Sequence, residues 1–142
     1  MDSGSLEKHL AHFGVRITPV RQLLYSVLCD ASTAMSLADL EVALRTVDKS
    51  SIFRNLQLFL EVGLIHQIQD GSGVAKYAIS DIPKDEHHTN HAHFTCIECA
   101  ETICLDQLTI EVDDLELPDS YSAKGYTLII KGICPKCQKR YH

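Results

Sequence analysis

The chain has 142 residues, 45% of them hydrophobic, and a formal net charge of −6 at pH 7. That length admits one ordinary domain or two small ones; no apolar run reaches membrane length and no secretory leader shows, so a soluble cytoplasmic protein with no membrane partner is expected. The acidic balance argues against nucleic acid, but it is uneven: residues 1–80 carry 7 Lys/Arg against 8 Asp/Glu and residues 81–142 carry 6 against 11, which leaves room for a locally basic surface in the first half.

The first half predicts four helices and a hairpin. Leu6, Leu10 and Phe13 make a short amphipathic stripe closed by Gly14. Thr18-Pro19 supplies a capping hydroxyl and a proline at the first helical position. Val20, Leu23, Leu24, Val27 and Leu28 then share one face. Ser36, with Asp39 three residues on, predicts a capping box for a third helix whose apolar face is Leu37, Leu40 and Leu44. Ser50 or Ser51 is the expected cap of a fourth, with Ile52, Leu56, Phe59 and Leu60 inward and Gly63 at its end. Leu64 to Ile68, the turn Asp70 to Gly73, and Val74 to Ile79 predict a hairpin.

Three helices and a two-stranded wing make a winged helix-turn-helix, here with one helix in front. Such a fold lays one helix in the major groove of DNA and the wing against the backbone. The recognition candidate is Ser50 to Val62, with Ser50, Ser51, Phe53, Arg54 and Asn55 expected to be exposed. Arg54 suits phosphate or a guanine edge, and Asn55 suits a base. Arg16 and Lys49 add phosphate contacts. A winged fold used for protein contact is the competing reading.

Residues 81–86, polar and holding Pro83, are the expected hinge between a winged-helix DNA-binding domain over 1–80 and a zinc-binding domain over 87–142. The second half opens with His87, His88, His91 and His93 and predicts strands at His93–Cys96, Thr102–Leu105 and Tyr126–Gly132. The fold class is therefore α/β (α+β).

Two Cys-x-x-Cys pairs carry the strongest chemistry: Cys96/Cys99 and Cys134/Cys137. A two-residue gap lets both sulfurs of a pair reach one ion, and four thiolates suit a structural tetrahedral zinc. In a reducing compartment metal is favoured over disulfides. The bland alternative is two unrelated surface turns.

A second cluster sits nearby. On a strand, His91 and His93 point to one face, and Cys104 on the next strand is placed to meet them. With His87, His88 or the carboxylate of Glu111, such a set suits a regulatory zinc, iron or cobalt, and binding at the hinge would fix one domain against the other. A solvated histidine-rich linker is the alternative. Cys29 beside the apolar face of the second helix suits the core. Cys134-Pro135 resembles a haem-ligand dipeptide, though zinc has the stronger claim on Cys134. No catalytic constellation is evident, and a closed four-thiolate site leaves no open position for a substrate, so an enzyme is not expected.

Together these segments resemble the ferric uptake regulator (Fur) family. Leu10 to Arg21 resembles its opening Gly-x-Arg-x-Thr-x-x-Arg signature. Ser51-Ile52-Phe53-Arg54-Asn55-Leu56 is similar to its recognition-helix Thr-Val-Tyr-Arg-x-Leu. His91-x-His93-Phe94-x-Cys96-x-x-Cys99 and Gly132-Ile133-Cys134-x-x-Cys137 resemble its metal-binding strand and closing pair. The resemblance spans nearly the whole chain. It implies a homodimeric, metal-responsive regulator that binds a double-stranded operator through its N-terminal domain and dimerises through its C-terminal domain, 87–142, with structural zinc in the four-cysteine site and a separate sensing site.

Several family positions differ. Ala34 and Ala78 replace a histidine and a glutamate of the sensing site, and Cys104 replaces a later glutamate. At a second family site Asn90, Ala92 and Tyr126 replace ligands, and Glu111 alone is kept. Phe53 stands for a tyrosine, Ala11 for a lysine and Ala100 for a glycine. The resemblance thus implies a rearranged sensor in which Cys104 joins His91 and His93. The expected function is a repressor of metal uptake or homeostasis genes; a thiol redox switch that ejects zinc and a zinc-ribbon protein adaptor are the alternatives.

Overall fold

The computed structural model describes residues 3–69, 71–80, 90–105, 108, 110, 111 and 114–141, and for Ser3, Asn90, His91 and Tyr141 only the main chain. The expected hinge, 81–86, and His87 and His88 lie outside the described residues. The chain forms two compact units, Met1–Glu86 and His87–His142.

The first unit runs α1 (Ser3–His12), α2 (Pro19–Asp30), β1 (Met35–Ser36), α3 (Leu37–Ala43), α4 (Lys49–Val62), β2 (Ile65–Gln69) and β3 (Ala75–Ile79). Its ends follow local chemistry. Thr18 caps α2 by accepting from the Arg21 amide, with Pro19 in the first turn. Ser36 and Asp39 form both hydrogen bonds of the capping box at α3. Gly63, at φ 85°, closes α4 in the left-handed region that a residue with a β-carbon adopts at a cost.

The serine cap expected for α4 is corrected. Asp48 is the cap: its carboxylate accepts from the Ser51 amide at 3.0 Å and from the Ser51 hydroxyl at 2.7 Å. A carboxylate complements the positive end of the helix dipole better than a neutral hydroxyl, which places both serines in the first turn. The apolar face of α2 also differs from expectation. Leu23 is 48% exposed, and Tyr25 is buried in its place. Tyr25 meets Phe59 edge-to-face at 5.9 Å and stacks on His9 at 5.7 Å, so a large ring fills the space between three helices. Leu10, Leu24, Leu40, Ile52, Leu56 and Phe59 complete this core.

The wing is an antiparallel hairpin, β2 with β3, to which β1 adds a two-residue edge in the order β1-β3-β2. The β1 bridge is absent from the sequence expectation because two residues have no readable period.

The second unit is a three-stranded sheet, β4 (Asn90–Cys96), β5 (Thr102–Cys104) and β6 (Tyr126–Gly132), in the order β5-β4-β6. β4 pairs antiparallel with β5 and parallel with β6. A short helix, α5 (Pro135–Gln138), and a 3-10 turn (Lys139–Tyr141) follow.

Candidate metal centres and nucleic-acid interface

The central strand β4 ends in Cys96, and its parallel neighbour β6 ends opposite it at Gly132. Both strands therefore deliver a knuckle to the same end of the sheet. In the first, Cys96 to Cys99, the Ala100 amide bonds the Cys96 carbonyl at 2.9 Å and turns the chain back. In the second, Cys134 precedes α5 with Pro135 in its first turn, and the Gln138 amide bonds the Cys134 carbonyl at 2.9 Å. The sulfurs of Cys96, Cys99, Cys134 and Cys137 all lie within 4.8 Å of one another. Cys96, Cys134 and Cys137 are buried and Cys99 is exposed, and none of the six cysteines is in a disulfide.

This cluster fits zinc. Four sulfurs at the zinc–thiolate distance of about 2.3 Å stand about 3.8 Å apart at the corners of a tetrahedron. Cys99 and Cys134 have their sulfurs 3.8 Å apart. The Cys134 amide also points at the Cys96 sulfur, 3.4 Å away, as a donor to a thiolate. The acidities show what a cation relieves. The Cys99 main-chain N–H, more than any other group, brings the Cys96 thiol down to about 6. Burial, then the neighbouring thiols, push Cys137 up to about 12. Four thiols so close cannot all ionise by mutual support, whereas a divalent cation stabilises every thiolate at once. The dipeptide Cys134-Pro135 is corrected as a haem ligand: Cys134 is 2% exposed and its sulfur belongs to the four-cysteine cluster.

On the sheet itself, His93 and Cys104 are direct cross-strand partners. A ligand nitrogen of the buried imidazole and the half-buried sulfur lie within 4.8 Å of each other. His91 shares β4, with its side chain outside the described residues. Glu111 is exposed in the loop after β5 and joins no group of three or more ligand-type side chains among the described residues. His66 was not singled out in the sequence. It stands on β2 directly across from Ala78, so this rung of the wing carries a half-buried imidazole where its partner strand carries only a methyl group. The hairpin register alone would have revealed it.

In the first unit, α3 and α4 form the helix-turn-helix. Ser50, Phe53, Arg54 and Gln57 are exposed at helical spacing along one face of α4. Phe53 is 46% exposed on that face. Lys49 is exposed, and its 3.8 Å contact with Glu41 is a loose surface pair that leaves the ammonium available. Arg16 is exposed before α2. Ser51 and Asn55, expected at the surface, are half-buried instead. Ser51 is held by Asp48, and the Asn55 amide is engaged within the unit: its oxygen accepts from Arg21 Nε at 2.9 Å and its nitrogen donates to the Ser51 carbonyl at 2.8 Å. Gln57 was missed because a lone glutamine gives no composition signal; the position of the buried face of α4 reveals it.

The family model of the ferric uptake regulator family matches residues 12–130. The chain belongs to the ferric uptake regulator family. It is thus a transcriptional regulator of the metal-responsive, DNA-binding class. Among curated proteins it is similar to the peroxide-responsive repressor PerR of Staphylococcus aureus, 23% identical over 137 residues that cover 92% of this chain and 88% of that one. Among solved structures it is similar to a zinc uptake regulator complexed with zinc and DNA (TM-score 0.65, 19% identity, 97% and 93% of the two chains). It is also similar to the Helicobacter pylori ferric uptake regulator, a structure with three functional metal binding sites (TM-score 0.60, 18% identity, 95% and 90%). At such identities these structures establish the fold alone. No helix among the described residues is long and apolar enough to cross a membrane.

Proposed function

We propose that the protein is a homodimeric repressor of metal uptake or homeostasis genes, with structural zinc at Cys96, Cys99, Cys134 and Cys137. A separate regulatory metal, iron or zinc, is assigned to His93 and Cys104, with His91, His87 and His88 as further candidate ligands. Glu111, exposed in the loop after β5, is a further candidate. The observation that carries the regulatory site is the shared rung: His93 and Cys104 face one another across β4 and β5, and imidazole with thiolate is a donor pair suited to these ions. The bound metal would supply charge neutralisation between these side chains and a fixed geometry for β5 on β4. No catalytic step is assigned to the chain.

Operator contact is assigned to the exposed end of α4. Lys49 and Arg54, with Arg16, would neutralise phosphates; Ser50, Phe53 and Gln57 would face the groove, with Ser51 and Asn55 behind them. The zinc uptake regulator bound to zinc and DNA supports this reading by fold. A mobility-shift assay with genomic fragments, with and without added iron or zinc, tests it, paired with elemental analysis before and after mild chelation. Metal-dependent binding that weakens steeply with salt is expected. Failure to shift any fragment under either condition would favour the protein-binding adaptor.

The thiol switch retains one supporting observation: a thiol brought down to about 6 beside three neighbouring sulfurs. Peroxide titration separates it from the metal sensor. Loss of zinc in step with loss of DNA binding would favour the switch; retention of both would remove it.

A further inference from the structure

We propose that Arg21 and Asn55 act as a positioning buckle that sets the angle at which α4 is offered to DNA, and that Asn55 does not read a base. Arg21 sits in the first turn of α2, 34 residues from Asn55 in the chain. Its guanidinium serves two acceptors. Nε donates to Asn55 Oδ1 at 2.9 Å, and Nη1 donates to the Arg16 carbonyl at 2.9 Å. One planar group therefore joins the segment before α2, α2 itself and α4.

The asparagine is equally committed. With its oxygen on Arg21 and its nitrogen on the Ser51 carbonyl, the amide plane is fixed from both ends. The assignment is self-consistent, because the flipped amide would set a donor against Arg21 and an acceptor against a carbonyl. Reading an adenine takes both ends of the amide at once, and here each end is already engaged once inside the unit by a half-buried side chain. Arg54, the next residue along, remains exposed on the outer face. Holding Asn55 thus fixes the rotation of α4 about its axis, and with it the direction of Arg54, Phe53 and Gln57. Arginine is suited to this task because its rigid fork holds two acceptors in a set geometry, which an ammonium does not.

The inference rests on the DNA-binding reading of α4, and one experiment separates the two. A duplex enriched by the unsubstituted full-length protein from a random-sequence pool is compared with its scrambled form. The readouts are the affinity ratio between the two duplexes, the salt slope and the melting temperature. The ratio is insensitive to a smaller folded fraction, which lowers both affinities alike. Arg21→Ala and Asn55→Ala are each expected to lower the ratio about tenfold, and the double variant is expected to lower it no further, as for residues that act as a unit. Asn55→Asp keeps an acceptor for Arg21 but loses the donor that a base or Ser51 would use; it is expected to recover most of the ratio. Arg21→Lys serves as the second arginine variant should Arg21→Ala fold poorly, and is expected to lose the ratio while keeping the charge. Additive losses would overturn the buckle. So would a salt slope reduced by about one on Arg21→Ala, the mark of a phosphate contact. Lost preference at a single base pair in both Asn55 variants would restore the base-reading role. If the unsubstituted protein enriches no duplex, the DNA-binding reading fails and takes the buckle with it.

Discussion

Gly132 lies against the ring of Phe94: a β-carbon placed on it would stand 3.0 Å from Cε2 and 3.1 Å from Cζ. The two residues belong to neighbouring strands, and Gly132 pairs with Cys96 and leads two residues on to Cys134. Gly132→Ala therefore requires the Phe94 ring to give way beside the strand ends that carry the two knuckles. The expected result is a loss of about 1–2 kcal/mol of stability and weaker zinc retention, read by thermal melts and by chelator competition. Phe94→Leu in the same background should recover part of the loss by giving the methyl group space.

Ala100 has the opposite defect. It adopts φ 65°, a left-handed conformation, in the turn that closes the first knuckle. This is the position at which the family pattern carries glycine. Ala100→Gly should stabilise the zinc-loaded protein by about 0.5–1 kcal/mol, since relief of the strained backbone outweighs the added freedom of the unfolded chain. Thermal melts at saturating zinc decide this, and unchanged or reduced stability would count against the strain.

Zinc affinity should fall with acid. Each sulfur binds as a thiolate, and Cys137, raised to about 12, holds its proton in the metal-free cluster across the neutral range. Binding must displace that proton, so affinity drops about tenfold per pH unit for each proton released. Below about 6 the Cys96 thiol also protonates and the fall steepens. Chelator competition across this range measures the slope. Cys96→Ser should release zinc and destabilise the second unit; unaltered stability would contradict a structural role.

Cys104→Ala should leave melting behaviour and structural zinc nearly intact while lowering affinity for the regulatory metal. Cobalt substitution offers a direct readout, because a thiolate ligand gives a charge-transfer band that the variant should lack. Unchanged affinity and spectrum would remove Cys104 from the sensor.

Asp48 carries a pH signature of its own. The Ser51 hydroxyl, followed by the Ser51 amide, holds its carboxyl below the ordinary aspartate value. A group whose folded value is depressed contributes stability that is present above the unfolded value and is lost as pH falls through the folded one. Asp48→Asn keeps a capping oxygen but not the charge, and should flatten the acid limb of the first unit's stability profile. Asp48→Ala should lose the cap at every pH.

Periodic and short-range signals explain what was legible from sequence. The stripe Ile52, Leu56, Phe59 predicts the buried face of α4, and Ser36 with Asp39 predicts a box that forms in full. The two Cys-x-x-Cys pairs predict the sulfur cluster because ligand spacing is itself local chemistry. What stayed hidden depends on partners distant in sequence. Leu23 and Tyr25 lie two residues apart, and only the position of Phe59 decides which is buried. Asn55 reads as an exposed side chain until the hydrogen bond from Arg21, 34 residues away, is seen. Ser51 lies three positions after Asp48, and choosing the cap between them depends on a carboxylate geometry that residue type leaves open.

The central strand β4 carries His93 near its middle and Cys96 at its end, on one continuous stretch of backbone. A reagent strong enough to strip the sulfur cluster thereby unclamps the terminus of the very rod on which the imidazole is mounted. Preparations emptied under harsh conditions are expected to show a frayed sheet, so titrations of the regulatory metal proposed at His93 belong in protein whose four-sulfur clasp is still loaded.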